Sequence, residues 1–474
     1  MADRIAHGAI HDAEGLREAR CLGETRAAIL DEILNWVDGP PLGSQILWLE
    51  GPAGAGKTAI AGTVCERLKS KGRLGGDYFI RIGNGGALPL FATIAYQLVD
   101  IPAVGERIET VIANDPAIIF RAVDDQLQKL IVDPLLVLQK DTPPYVILID
   151  GLDECASESK QPRDNESLQC RIIRLIGSVC KDHHPPVRFI ISSRPERWIR
   201  DEFASESISR TLHHVSLERT DQTDQDIRLV YISGFQEIRE SANHKAKMSD
   251  MPTTWTWVSE QDLKTLVDNA SGQFSYADTV LKFIGDPNGQ PSARLQIILE
   301  IPIAPTTSNP FAALDLLYSK ILSLLSNKEL TMDVLGAILV MTSTIGSDPI
   351  LARESLEIAF RLLGLPPDED YASLRTLHSL LRVPDPIGKR RENMTVDEYR
   401  TWLGEGSGVK FHHKSFPDFL GDKNRSGDFC VDNNLIHSRL ALGCLKVLKG
   451  LSSKPESRLH YSKALVSISV ACSY

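Results

Sequence analysis

The densest chemistry in the chain lies in one short stretch, Gly51-Pro-Ala-Gly54-Ala55-Gly56-Lys57-Thr58, a complete G-x-x-x-x-G-K-[S/T] loop. Glycines let backbone N–H groups turn inward around phosphate oxygens, and the N-terminus of a following helix adds its positive dipole. Gly51, Gly54, Ala55, Gly56 and Ala59 are expected to line bound phosphates, with Lys57 reaching the β- and γ-phosphates. The Thr58 hydroxyl is the expected ligand for Mg²⁺. This chemistry points to a nucleoside triphosphate or diphosphate, with ATP/ADP and GTP alike admitted by a loop that reads only phosphates.

Two further groups of residues suit the same site. Val146-Ile-Leu-Ile-Asp150 reads as a buried strand ending in an acid, followed by Gly151-Leu-Asp153-Glu154. A bare carboxylate there needs a cation partner, which makes Asp150 the second expected Mg²⁺ ligand. Asp153 and Glu154 are candidates to orient or deprotonate an attacking water; for Asp153 a helix cap or loop carboxylate is the alternative. The third group, Ser192-Ser193-Arg194-Pro195-Glu196, closes the next apolar strand, from which Arg194 can contact a γ-phosphate. Taken alone, an arginine beside a proline turn is commonly a solvated residue.

These residues need a scaffold, and the chain supplies one by alternating strand-like and helix-like segments from about residue 45 to 217. Strands are expected at Gln45–Glu50, Asp77–Ile80, Tyr145–Asp150, Arg188–Ser192 and His213–Leu217, with helices at Thr58–Lys69, Leu88–Val99 and Leu168–Cys180. Such alternation implies an α/β fold with a parallel sheet covered on both faces. Beyond residue 218 helices dominate: Asp224–Glu240, Glu260–Ala270, Tyr276–Ile284, Ala312–Leu325, three more patterns between Lys328 and Arg382, and Asn434–Lys449. Ser241–Thr254 reads as a loop, Ile303–Pro310 as a linker and Pro384–Gly408 as a charged insertion before a strand-like Val409–His412.

Composition narrows the class. With 474 residues, 42% hydrophobic and 24% charged, the chain is long enough for about three domains and has apolar content to bury real cores. Lys+Arg 52 against Asp+Glu 62 gives a net charge of −10, which argues against a general nucleic-acid or anionic-membrane binder. The short basic run Lys389-Arg390-Arg391 is more in keeping with a solvated cluster than with a DNA contact. Eight cysteines carry no CxxC pair and no metal-like spacing, so neither a zinc framework nor a disulfide scaffold is expected. The charged N-terminus lacks the apolar core of a signal peptide, and apolar runs such as Val334 to Met341 fall short of the ~20 residues a membrane helix needs. A cytoplasmic setting without membrane attachment is the expectation.

The three groups together resemble a NACHT domain of the STAND class of P-loop NTPases. The specific mark is Asp150-Gly-Leu-Asp153-Glu154, in which a small residue follows the metal-binding acid and two acids come two residues later. Cys21-Leu-Gly-Glu-Thr25-Arg26 with Ile33-Leu-Asn-Trp36 looks like the leader that precedes NACHT domains in many fungal proteins, with Glu24 standing where glycine is common. Ala270-Ser-Gly272-Gln-Phe274-Ser-Tyr276-Ala277 is similar to the small-residue turn of the helical domain that follows such cores, with Phe274 where related families carry an adenine-facing proline. Phe411-His-His413-Lys-Ser415-Phe416-Pro-Asp418-Phe419-Leu420 resembles the winged-helix motif whose histidine touches the β-phosphate of ADP in the closed state, and His413 matches it by position, with His412 next door.

The resemblance implies a three-layer P-loop NTPase core followed by a helical domain and a winged-helix domain. The corresponding divisions are a leader at 1–40, the NTPase core at 41–217, the helical domain at 218–310, the winged-helix domain at 311–430 and the start of a C-terminal helical domain at 431–474. It also implies a signal-transduction switch of innate-immunity type: ATP or ADP with Mg²⁺ between core and lid, slow hydrolysis, homo-oligomers on opening, and protein partners through the lid and the C-terminal helical region. The family favours ATP, with GTP possible. The chain stops at Tyr474 as a helical domain begins, where such proteins carry a sensor of repeats, so a fragmentary product or a truncated switch acting through partners is expected. Two other functions compete with the switch: a non-catalytic scaffold that binds ADP for stability, and a small-molecule kinase using the same loop.

Overall fold

A computed structural model describes residues 5–17, 19–40, 44–81, 89–139, 142–155, 162–182, 185–248, 257–302, 309, 311–345, 359–365, 374, 377–382 and 409–452. The chain divides into two compact units, Met1–Arg219 and Thr220–Tyr474.

In the first unit, short runs rich in β-branched and aromatic residues form β1 (Ile46–Glu50), β2 (Leu74–Phe79), β3 (Tyr145–Asp150), β4 (Val187–Ser193) and β5 (Leu212–Ser216). They make one parallel sheet in the order β2-β3-β4-β1-β5. The two-residue period of a strand sends alternate side chains to opposite faces. Leu47, Leu49, Val146, Leu148 and Ile190 pack on one face against α1 (Ala27–Val37) and α2 (Lys57–Ser70). Ile46, Trp48, Ile147, Ile149, Phe189 and Ile191 pack on the other against α3 (Leu90–Leu98) and α4 (Pro162–Asp182). With both faces covered, β1 and β3 are apolar up to their terminal acids rather than alternating. The result is the three-layer α/β core of a P-loop NTPase, with a helical C-terminal region.

Strand β2 begins earlier than its apolar run suggests. Pairing of Leu74 with Val146 and of Gly76 with Ile147 extends the strand through two glycines, where a Cβ would sit 3.2 Å from Tyr145 Cβ at Gly75 and 3.1 Å from Ile94 Cγ2 at Gly76. Between Val99 and Pro144, where the sequence reading assigns no element, the chain forms a helix at Pro102–Asn114 and a run of helical turns to Leu135 that includes a π-helical stretch at Leu127–Val132.

The second unit is helical: α5 (Asp221–Glu240), α6 (Glu260–Ala270), α7 (Phe274–Ile284), α8 (Pro291–Leu299), α9 (Ala312–Ser323) and α10 (Lys328–Ile345). Thr220 caps α5 in a reciprocal box with Thr223, and Ser259 caps α6 by accepting from the Asp262 N–H. β6 (Leu381–Arg382) and β7 (Lys410–Phe411) pair antiparallel, followed by α11 (Ser415–Gly421) and α12 (Asn433–Ser452). Tyr231, Phe235, Leu266, Tyr276, Val280, Tyr318, Phe416 and Phe419 belong to one continuous core in this unit. The linker expected at Ile303–Pro310, apart from Asn309, and the insertion expected at Pro384–Gly408 lie outside the described residues, as do residues 249–254 of the expected loop. The seven described cysteines are free, and no described helix is long and apolar enough to cross a membrane.

Candidate nucleotide site

The phosphate-type loop runs directly from β1 into α2. Its backbone needs glycine twice: Gly54 at φ 78° and Gly56 at φ 91° lie in the left-handed region. Gly51 is held by contact instead, since a Cβ there would come 2.9 Å from Leu217 Cβ. Lys57, first residue of α2, turns back into the loop and donates from Nζ to the Gly51 carbonyl at 2.7 Å and the Pro52 carbonyl at 3.0 Å. Burial pushes the Lys57 pKa down, and Arg194 adds to that, while Asp153, Asp150 and Glu154 act in the opposite direction. Ala55 is buried, and Ala59 follows Thr58 in the first turn of α2.

One strand, β4, separates β1 from β3, yet the Asp150 side chain reaches the loop. Thr58 Oγ1 donates to Asp150 Oδ2 at 2.8 Å, and the Ser192 hydroxyl donates to Oδ1. Gly151 N–H in turn donates to Ser192 Oγ at 3.1 Å, so the end of β4 orients the acid at the end of β3. Burial raises the Asp150 pKa; the Ser192 and Thr58 hydroxyls, Lys57 and Arg81 oppose that rise. Hydroxyl and carboxylate oxygens of Thr58 and Asp150, with the Ser192 hydroxyl behind, form an all-oxygen donor set that suits Mg²⁺, a hard cation.

Asp153 and Glu154 sit in a single 3-10 turn, Leu152–Glu154, entered through Gly151 at φ 77°. Asp153 Oδ1 accepts the Arg194 backbone N–H at 3.0 Å, and Oδ2 lies 3.3 Å from Arg194 Nε. Gln169 donates to the Asp153 carbonyl at 3.2 Å, fastening the turn to α4. The Asp153 carboxylate is thus engaged with Arg194 rather than capping a helix, and Glu154 is near enough to Lys57 and Arg81 to favour the charge on both. Lys57, Thr58, Asp150, Asp153, Glu154 and Arg194 therefore gather at one end of the sheet, as the residue types suggest.

Two cations at this end escaped the sequence reading. Phe79 pairs with Asp150, and Ile80 N–H donates to the Asp150 carbonyl at 2.9 Å, so Arg81 leaves β2 at the level of the acids. Burial lowers its pKa while Asp150 and Glu154 raise it. The available signal was its place just past a strand neighbouring β3. Arg26, quoted only as part of the leader, takes a left-handed backbone at φ 60° and donates from Nη2 to the Ala55 carbonyl at 2.8 Å, inside the loop.

The leader is fastened along the way. His11 Nδ1 lies 2.6 Å from Asp77 Oδ2, and its backbone N–H donates to Oδ1 at 2.7 Å. Cys65 completes a buried trio with this pair, but both Asp77 oxygens are taken by His11 and burial pushes the Cys65 thiol well up, so the trio acts as a clasp. Cys21 N–H donates to Thr63 Oγ1 at 2.9 Å, where the leader crosses α2.

His413 belongs to the second unit. Its Nε2 lies 2.8 Å from Asp278 Oδ2 on α7, while the neighbouring His412 turns its Nε2 to the His378 carbonyl at 3.0 Å. Burial, with help from Lys282, pushes His412 down to about 4, which leaves it neutral near pH 7. The environment of His413 is the charged one of the two. Phe274, the expected adenine-side residue, is the first residue of α7.

Fold and site geometry define a P-loop NTPase core, and comparison with known proteins gives the following. The model of the nephrocystin 3 N-terminal family matches residues 25–194, from the leader to Arg194. Among solved structures, a signal transduction ATPase with numerous domains (STAND) protein with a tetratricopeptide repeat sensor, from Pyrococcus horikoshii, is 14% identical with a TM-score of 0.41. The alignment covers 94% of this chain and 48% of that one, so the present chain spans about half its length. The Aeropyrum pernix ORC2 protein in its ADPNP–ADP complexes is 15% identical with a TM-score of 0.34, covering 80% of this chain and 92% of that one. Drosophila ORC bound to DNA is 12% identical with a TM-score of 0.31, covering 81% and 90%. No curated protein matches the chain.

Proposed function

We propose that this chain is a nucleotide-dependent conformational switch of the NACHT type within the STAND class, holding ADP in one state and ATP with Mg²⁺ in another. The observation that carries the reading is the hydrogen bond of 2.8 Å between Thr58 Oγ1 and Asp150 Oδ2, beside a glycine loop that Lys57 enters. A loop hydroxyl and a strand-end carboxylate brought into contact across an intervening strand are the two groups such a site needs for a phosphate-bound cation. Gly51, Gly54, Ala55, Gly56 and Ala59 line the phosphates and Lys57 supplies the charge that pairs with the β- and γ-phosphates. Thr58 and Asp150 would hold Mg²⁺, which would supply positive charge to offset that developing on the phosphoryl group.

The remaining residues divide the work of hydrolysis. Glu154, with Asp153 in the same turn, orients or deprotonates the attacking water. Arg194 contacts the γ-phosphate, and its tie to Asp153 couples that contact to the acid turn. Arg81 adds a second cation at the level of Asp150. His413, in a winged-helix lid built from β6, β7 and α11, contacts the β-phosphate of ADP. A ligand contact that exists in only one arrangement of the units biases that arrangement, which is what a switch requires. Slow turnover, homo-oligomers in the ATP state and protein partners at the lid and C-terminal helices complete the reading.

The test is small-angle scattering of the purified chain with ADP and with a non-hydrolysable ATP analogue plus Mg²⁺. A switch gives two distinct profiles or a change of mass. Identical profiles with both nucleotides bound would leave a nucleotide-binding scaffold in its place.

A further inference from the structure

We infer that Asp278 is the positioning residue for His413, fixing which ring nitrogen carries a proton toward α7 and leaving Nδ1 as the atom that meets a nucleotide phosphate. The inference rests on the reading above, in which His413 touches ADP.

The geometry is local to the second unit. The turn His412–Lys414 is held at both ends, by β7 pairing with β6 on one side and by α11 on the other, where Tyr318 Oη and Ser415 Oγ lie 2.9 Å apart and Phe416 and Phe419 pack on the Tyr318 ring. That places the His413 ring over α7. Asp278 Oδ2 receives His413 Nε2 at 2.8 Å and Lys282 Nζ at 2.5 Å. Burial acts to raise the Asp278 pKa, but His413 and Lys282 outweigh it and hold the carboxyl well below its ordinary range. An ionised carboxylate only accepts, so the ring nitrogen facing it carries the proton. The tautomer is thereby set: a ring with a single proton carries it on Nε2 and shows a bare Nδ1, so it is the doubly protonated ring, with the carboxylate at Nε2, that offers an Nδ1–H to a phosphate oxygen.

Charge and placement make the ligand an anion. One carboxylate faces two cations, Lys282 and a protonated His413, so the cluster carries a positive surplus when the ring is charged. Phe274 and Asp278 stand four residues apart at the start of α7, on one helix face. The proposed base-side and phosphate-side contacts of the second unit thus share that face. The other titratable groups nearby are otherwise engaged: His412 is bonded to the His378 carbonyl, and His378 bonds the Lys282 carbonyl at 2.8 Å with Asp286 3.8 Å from its Nδ1. Asp286 is itself paired with Arg294.

The experiment follows release of fluorescent ADP from the full chain across pH, in the wild type, His413→Ala, Asp278→Asn, the double variant and Lys57→Ala. His413→Ala is expected to release ADP about tenfold faster near pH 7, the loss of one charge-assisted hydrogen bond. Asp278→Asn keeps an acceptor but loses the charge, so its release is expected to be faster than that of the wild type near neutral pH, with the gap narrowing as the pH is lowered. The double variant is expected to match His413→Ala. A pH-independent acceleration in Asp278→Asn that simply multiplies with that of His413→Ala would overturn the inference and leave the latch standing, as would wild-type release in Asp278→Asn at every pH. If Lys57→Ala loses ADP while His413→Ala behaves as wild type, the latch and the inference fall together and nucleotide binding survives. Should Asp278→Asn melt early, Asp278→Glu, which keeps the charge, is expected to restore slow release; failure to do so counts against the inference.

Discussion

Asp153 holds Arg194 by both ends of the residue, its Oδ1 on the backbone N–H at 3.0 Å and its Oδ2 facing Nε at 3.3 Å. The acid turn after β3 and the end of β4 are therefore one mechanical piece. Arg194→Ala leaves the backbone bond but removes the guanidinium that faces the other oxygen of a carboxylate only 5% exposed. A loss of about 1–3 kcal/mol in unfolding free energy is expected. In the proposed site the same change weakens ATP more than ADP, because only ATP carries the γ-phosphate. Denaturant melts paired with titrations of both nucleotides check this; equal losses for ATP and ADP would remove Arg194 from γ-phosphate recognition.

Asp150 behaves in the reverse sense for stability. Its folded pKa is raised by burial, so its contribution favours folding at low pH and is lost as pH rises from the ordinary 3.8 through the raised folded value. At neutral pH the ionised carboxylate is a net cost to the ligand-free fold. Asp150→Asn is expected to melt at or above the wild-type temperature near pH 7 while Mg²⁺-dependent phosphate release falls by about 100-fold or more. A variant that melts lower yet still hydrolyses would contradict both halves.

Asp278 has the opposite sign. Its folded pKa is depressed by His413 and Lys282, so its contribution is present above the ordinary 3.8 and is lost as pH falls below that value. The stability gap between wild type and Asp278→Asn is expected to be open at pH 5–6 and to narrow as the pH drops below about 4. Urea melts at a series of pH values measure it directly. A gap that widens on acidification would refute the assignment of the depressed carboxyl.

Backbone conformation at the loop offers a test that involves no charge. Gly56 sits at φ 91°, which an L side chain adopts at a cost of about 1–2 kcal/mol. Gly56→Ala is expected to lower stability by that amount and to weaken nucleotide binding, since the N–H groups that follow must tilt. Isothermal titration with ADP beside a denaturant melt separates the two effects.

Gly62 tests the leader in the same way. A Cβ there would come 2.5 Å from the Ala19 carbonyl oxygen, because the leader crosses α2 at this glycine. Gly62→Val is expected to lift the segment around Ala19 from α2, to cost about 1–3 kcal/mol and to speed proteolysis between residues 5 and 25. If protease sensitivity is unchanged, the leader is not seated on α2 as described.

The phosphate loop and the strand carrying Asp150 were legible because each rests on a local rule. Tyr145–Asp150 is bounded by proline and glycine and is apolar throughout, and its limits agree with the strand formed. The alternation of strands and helices likewise implied the covered parallel sheet. Contacts between distant segments were a different matter. Arg81 acquires its place from the pairing of Phe79 with Asp150, and Arg26 from a left-handed backbone that no residue type announces. Asp278 reads as one more polar residue on an amphipathic helix until the turn at His413 is laid on it. The turns between Val123 and Leu135 escaped because the π-helical stretch at Leu127–Val132 breaks the regular 3.6-residue period, a reason that does not extend to the regular helix Pro102–Asn114.

The most direct measurement of the central claim is the identity of the nucleotide released by heat from the purified protein, with Lys57→Ala prepared alongside. The switch reading predicts ADP in near-stoichiometric amount from the wild type and none from the variant, whose loop lacks the ammonium now bonded to the Gly51 and Pro52 carbonyls. A wild-type protein that carries no nucleotide and takes up none when given ADP or ATP with Mg²⁺ would contradict it.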